Sequence, residues 1–174
     1  MTLKQLLTSF PGTKKSDWNR HPNGKGWVAN TASVEDTAFV GPYAVVSDTA
    51  LVSDTARVYG YAQVCGNAQV CGYAHVHGDA RVYDNALVYD TARVYDTARV
   101  CGNAEVYGDA RVFGNAHLET GDHTGGEITS TLVVTQPEAK KYEHEWDDPN
   151  WVHPMDKTER NMLITPLVYR EEEG

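Results

Sequence analysis

Alanine recurs at every sixth residue from Ala32 to Ala116, and two residues after each alanine stands an aliphatic side chain, from Val34 to Leu118. Both columns hold their phase through fifteen hexads, residues 31–120. The Ala-x-Val spacing alternates with period two, so both side chains share one face of a very short strand. The residues that follow are mostly Gly-Asn, Gly-Asp, Asp-Thr, Asp-Asn or Gly-Tyr, types that tolerate the positive φ of a tight corner. A helix is excluded by the period and by the density of Gly and Asp. A three-residue strand does not survive alone. The remaining solution winds the strands into coils, each strand pairing in parallel with those above and below. Six-residue edges close a triangle of three, so fifteen hexads predict about five triangular coils. At ~4.8 Å per strand such a rod is about 24 Å tall.

The run Ala104-Glu105-Val106-Tyr107-Gly108-Asp109-Ala110-Arg111-Val112-Phe113-Gly114-Asn115-Ala116 resembles the hexapeptide-repeat, left-handed parallel β-helix family. The resemblance covers residues 31–120 and is specific for fold, weak for function. It implies an all-β chain, and it alone supplies the left hand, since the general crossover rule favours the right. The family holds acyltransferases, γ-class carbonic anhydrases and repeat proteins without known chemistry, and it typically forms trimers. A homotrimer is therefore implied here. The lead-in from His21 to Ala29 and the regularity of the array look most like bacterial and phage-encoded members, which implies a protein of the host cell as a partner.

Three segments follow from the cadence. Residues 1–30 carry five bases and one acid and form an N-terminal cap. Leu3, Leu6, Leu7 and Phe10 lie at helical spacing, Pro11-Gly12 stops the helix, and Trp18 and Trp27 are expected to close the first coil. Residues 31–120 are the rod. Residues 121–174, with twelve acids and five bases, are read as a C-terminal cap and oligomerisation segment, with strands expected at 128–135 and 163–169. The chain's net charge of −9 makes nucleic acid an improbable partner. No apolar run is long enough for a membrane span. With no secretory signal and an odd three cysteines, the expectation is a cytoplasmic protein with reduced thiols.

Sorting the hexads by coil shows what stacks on what. A first face carries Phe39, Arg57, His75, Arg93 and Arg111 beside Gly41, Tyr59, His77, Tyr95 and Phe113. A second carries Val45, Gln63, Arg81, Arg99 and His117 beside Ser47, Cys65, Tyr83, Cys101 and Glu119. A third carries Ser33, Leu51, Gln69, Leu87 and Glu105 beside Glu35, Ser53, Cys71, Tyr89 and Tyr107. Cations flanked by aromatics can bind an anion, so Arg57, Tyr59, His75, His77, Arg93, Tyr95 and Arg111 are the candidate binding residues. The plainer reading has arginine stems packed on tyrosine rings, with guanidinium groups meeting corner aspartates such as Asp84, Asp90 and Asp96. The third face, with Leu51, Leu87, Tyr89 and Tyr107, is the other candidate interface.

His75 and His77 point outward from one strand, but a third metal ligand is expected only from another subunit, so no metal site is expected within one chain. Cys65 and Cys101 share a column two coils apart, beyond disulfide reach. The ninety hexad residues contain no insertion to wall a pocket. A non-catalytic scaffold or interaction protein without cofactor is therefore the leading expectation. The alternative implied by the resemblance is an acyltransferase with its site between subunits, using acetyl-CoA or another acyl-CoA and His75 or His77 as general base.

Overall fold

A computed structural model of the chain describes residues 1–129; of the strand expected at 128–135 only the first two residues fall within them, and its remainder, the strand expected at 163–169 and the C-terminal cap beyond Thr129 lie outside the described residues. The described part is an all-β parallel solenoid. Its strands fall into three sheets of seven, six and six, and each sheet joins every third strand of the chain. Only one pairing is antiparallel, between Trp18–Arg20 and Trp27–Ala29. Setting Trp18–Arg20 aside, every sheet has six rungs, so the rod has six coils rather than the five expected. No helix among the described residues is long and apolar enough to cross a membrane.

The core is what the cadence demands. From Val40 to Val112 every valine of the inner column is fully buried, and so is every alanine from Ala38 to Ala116. Valines pair with valines one coil away, as in Val82 with Val64 and Val100. Nearly every corner is closed by an i→i+3 hydrogen bond, for example from Ala86 N–H to the Tyr83 carbonyl at 3.3 Å.

The corner column explains the choice between Gly and Asp. From Asp48 to Gly114 all twelve of its residues have positive φ, between 56° and 70°. The aspartates do not reach for arginines, as the plainer sequence reading had it. Their carboxylates instead accept the backbone N–H of the same corner one coil on: Asp48 from Gly66 at 3.0 Å, Asp54 from Gly72 at 2.9 Å, Asp84 from Gly102 at 3.3 Å, and Asp90 and Asp96 from Gly108 and Gly114 at 3.2 Å. A Cβ built on Gly66 would stand 2.8 Å from the Asp84 nitrogen. Two corners accordingly alternate strictly, Asp48-Gly66-Asp84-Gly102 and Asp54-Gly72-Asp90-Gly108.

The two ends depart from the expectation for identifiable reasons. Trp27 pairs with Val45 and Val28 with Val46, so Val28 enters the axis and Trp27 points outward. Trp27, Trp18, Leu6, Ala29 and Val45 form a second small core on the outside of the second face. The helix Leu3–Ser9, held by a Thr2/Gln5 capping box, contributes Leu6 to it. The open edge of the first coil is met by the loop 21–26. Val40 N–H donates to the Asn23 carbonyl at 3.0 Å, Gly26 N–H donates to the Val40 carbonyl at 2.8 Å, and the buried His21 ring lies 3.1 Å from the Glu35 carbonyl. At the other end the step shortens from six residues to five. Val106 pairs with His123 and Val112 with Ile128, so residues beyond the last hexad complete a sixth coil instead of leaving the rod.

Candidate functional site

All seven residues singled out on the first face lie on it, in adjoining columns. Register places Arg57, His75, Arg93 and Arg111 directly over one another. In the next column four rings form one continuous stack. Centroids are 4.7 Å apart for Tyr59–His77, 5.1 Å for His77–Tyr95 and 4.9 Å for Tyr95–Phe113, and no interplanar angle exceeds 8°. The coil spacing of ~4.8 Å is close to aromatic stacking distance, so a column of rings in a parallel solenoid stacks almost without adjustment. Gly41 ends the column below Tyr59.

Among the described residues only one of these arginines makes an ion pair, Arg111 with Glu127 at 3.4 Å. Arg57 and Arg93 are exposed and offer uncompensated charge. They also act on the histidines. Burial, then Arg57 and Arg93, hold the His75 imidazole below its ordinary pKa. His77 is lowered by burial and by Arg93, with Asp96 working against the shift. Both rings thus favour the neutral form. His77 has a tyrosine on each ring face, which leaves only its edge for any ligand. An open recess of about 330 Å³ lies elsewhere, between the N-terminal cap and the second face, and is lined by Phe10, Trp18, Asn30 and Asp48 among others.

On the third face Leu51, Leu87, Tyr89 and Tyr107 are half-buried, and Tyr89 and Tyr107 stack at 4.8 Å. The exposed large apolar side chains are instead Tyr43, Tyr61 and Tyr73, at corners. Tyr43 and Tyr61 lie 5.2 Å apart.

The second face holds a grouping that the sequence reading passed over. Cys101, His117 and Glu119 place one ligand-type atom each within 4.8 Å of one another. Cys101 Sγ is 3.3 Å and Glu119 Oε1 is 3.5 Å from His117 Nε2, and the Tyr83 hydroxyl is 3.5 Å from that same nitrogen. Hydrogen bonding to Cys101, together with burial, pushes the Tyr83 hydroxyl up to about 12. Burial also raises the Cys101 thiol. The signal was present in the columns, since His117 and Glu119 alternate on one strand while Tyr83 and Cys101 precede Glu119 in its column. Finding it required comparing diagonal neighbours across two columns as well as residues in one. All three cysteines are free thiols.

Comparison with known families agrees with the architecture. The model of the YdcK β-solenoid repeat matches residues 62–78 and 80–96, which are the third and fourth coils. This chain is a β-helix repeat protein. The match covers two short segments of the rod and carries information about fold alone. No curated protein and no solved structure matches the chain.

Proposed function

We propose that this protein is a non-catalytic β-helical interaction module whose first face docks an acidic surface of a protein partner. One observation carries the reading: a flat four-ring stack runs beside exposed guanidinium groups of which two, Arg57 and Arg93, have no carboxylate partner among the described residues. Planar rings and uncompensated arginines are the side chains that contribute most to protein interfaces. The stack is already formed in the lone chain, so little side-chain ordering is needed on docking. The resemblance to phage-encoded arrays makes a cytoplasmic host protein the partner class, and it makes a homotrimer the working assembly. The exposed corner tyrosines Tyr43 and Tyr61 are the contact points such an assembly would use.

Charge reversal tests the reading. The double variant Arg57→Glu/Arg93→Glu should lose a partner captured from host extract, whereas Arg81→Glu/Arg99→Glu on the second face should keep it, with circular dichroism unchanged in both. Equal retention by the two variants defeats the first-face assignment. Light scattering on the purified chain gives the assembly state.

The second reading, an acyl-CoA-dependent acyltransferase, draws on the lowered pKa values of His75 and His77, because a general base must be neutral to accept a proton. It requires another copy of the chain to wall a cleft against the flat face. Turnover of acetyl-CoA that disappears in His75→Ala/His77→Ala would favour it over the docking module.

A further inference from the structure

The second face brings a thiol, an imidazole, a carboxylate and a phenol from three successive coils to one point. Tyr83 follows the strand Arg81–Val82 of the fourth coil, Cys101 follows Arg99–Val100 of the fifth, and His117 and Glu119 belong to the sixth. Two chemistries use such a set. In a nucleophilic relay the base contacts the thiol through one ring nitrogen and its orienting carboxylate through the other. Here Cys101, Glu119 and Tyr83 all approach the same nitrogen, Nε2 of His117. Because the ligand-type atoms of Cys101, His117 and Glu119 all lie within 4.8 Å of one another, the set can surround a cation instead of passing a proton through the ring.

The distances agree with that reading. Around tetrahedral zinc, with Zn–S of about 2.3 Å and Zn–N and Zn–O of about 2.0 Å, neighbouring ligand atoms stand roughly 3.3–3.6 Å apart. The two edges from Nε2 measure 3.3 Å to Cys101 Sγ and 3.5 Å to Glu119 Oε1. The Glu119 side chain is about half exposed, at 53%, and a change of rotamer can adjust the remaining edge. A sulfur and an imidazole select a borderline-soft cation over calcium or magnesium. Thiolate and carboxylate together neutralise a divalent charge. Cys101 is held from behind, because its own N–H donates to the Leu118 carbonyl at 2.8 Å.

We propose that Cys101, His117 and Glu119 bind a zinc ion, with the Tyr83 hydroxyl or a water in the fourth position, and that this ion fastens the sixth coil to the fifth. The site lies where such a fastening is needed, immediately before the step falls from six residues to five. Its two ligands from the sixth coil flank Leu118, the last aliphatic residue of the hexad column. Cys65 and Cys71 serve as internal controls. In the strand columns next to Cys65 stand Gln63 and Arg81, and next to Cys71 stand Gln69 and Leu87, none of them zinc ligands.

The full chain, stripped of metal with a chelator, is titrated with zinc chloride by calorimetry and with cobalt(II) as a spectroscopic probe. One equivalent per chain should bind, the cobalt adduct should show a thiolate charge-transfer band, and zinc should slow amide exchange at 117–123 while leaving 57–64 unchanged. Cys101→Ser and His117→Asn should each weaken zinc by more than the roughly 10–100-fold that loss of an outer-shell partner costs. Cys65→Ser and Cys71→Ser should bind as the parent does. Glu119→Gln, at an exposed position, should fold normally and lose affinity, and it carries the test if the buried Cys101→Ser variant misfolds. Absence of stoichiometric binding, a cobalt adduct without the thiolate band, or unchanged affinity in His117→Asn and Glu119→Gln would each overturn the assignment.

Discussion

His77, just after the rung His75–Val76 of the first face, and His117, on the rung His117–Leu118 of the second, both point outward with an arginine nearby, yet they are used in opposite ways. His77 has Tyr59 and Tyr95 on its two ring faces, so it contributes a flat surface and its nitrogens are incidental. His117 presents Nε2 to Cys101, Tyr83 and Glu119, so its nitrogen is the point of the arrangement. The backbone around the two is the same parallel ladder. What differs is the residue one coil away: a ring at coil spacing recruits the histidine into a stack, while a thiol recruits its edge. In a solenoid the chemistry of a side chain is therefore set by residues about eighteen positions away more than by its neighbours in sequence.

The comparison can be broken outright by removing the ladder that both faces share. Val82→Asp puts an unpaired carboxylate into the dry axis between Val64 and Val100, should cost more than about 4 kcal/mol, and should abolish the folding transition seen by circular dichroism. A soluble variant with an unchanged melting curve would contradict the packing. Less damaging, and confined to the first face, Tyr95→Ala removes the ring between His77 and Phe113 and should cost roughly 1–3 kcal/mol, read from denaturant midpoints. Its counterpart on the second face, Tyr83→Phe, keeps the ring and removes only the hydroxyl, so its cost should be about 0.5–1.5 kcal/mol. Asp84→Ala, which deprives the Gly102 N–H of its acceptor, should cost about 1 kcal/mol in the same measurement.

The smallest expected effect is on pH dependence. The His75 and His77 pKa values are lowered in the folded chain, so protonation favours the unfolded state, whose histidines titrate near the ordinary value of about 6.5. Their contribution is fully present above that pH and is lost as the pH falls through the folded values. His75→Gln/His77→Gln should therefore lower the melting temperature less on going from pH 7.5 to pH 5 than the parent chain does. An identical acid response in the two proteins would remove these histidines from the account.

Much of this was legible in the sequence because the Ala and Val columns leave one way to bury themselves, and eighteen-residue sorting then stacks Tyr59, His77, Tyr95 and Phe113 without further information. The sixth coil was hidden by physics of the same kind. Leu118, His123 and Ile128 follow one another at steps of five, and a histidine stands where the pattern calls for valine. Trp27, with Trp18, is expected to close the first coil because large apolar residues cover the open end of a solenoid. The register instead turns it outward against Leu6 and Val45, and the axis is met by a loop whose Gly26 has no room for a side chain. The corner aspartates were misassigned because a salt bridge to arginine is the obvious use of a surface carboxylate. At positive φ each carboxylate lies instead within reach of the next coil's N–H.

The alternation of Asp and Gly in two corners means that the smallest unit copied without conflict is a pair of coils. Duplicating or deleting one coil in the rod would set aspartate above aspartate or glycine above glycine, crowding two carboxylates in the first case and leaving an amide unserved in the second. Lengths of this rod that differ by thirty-six residues keep both alternating corners in step. Engineered variants, and any gene that grew by internal duplication from such a block, should therefore come in even numbers of added turns.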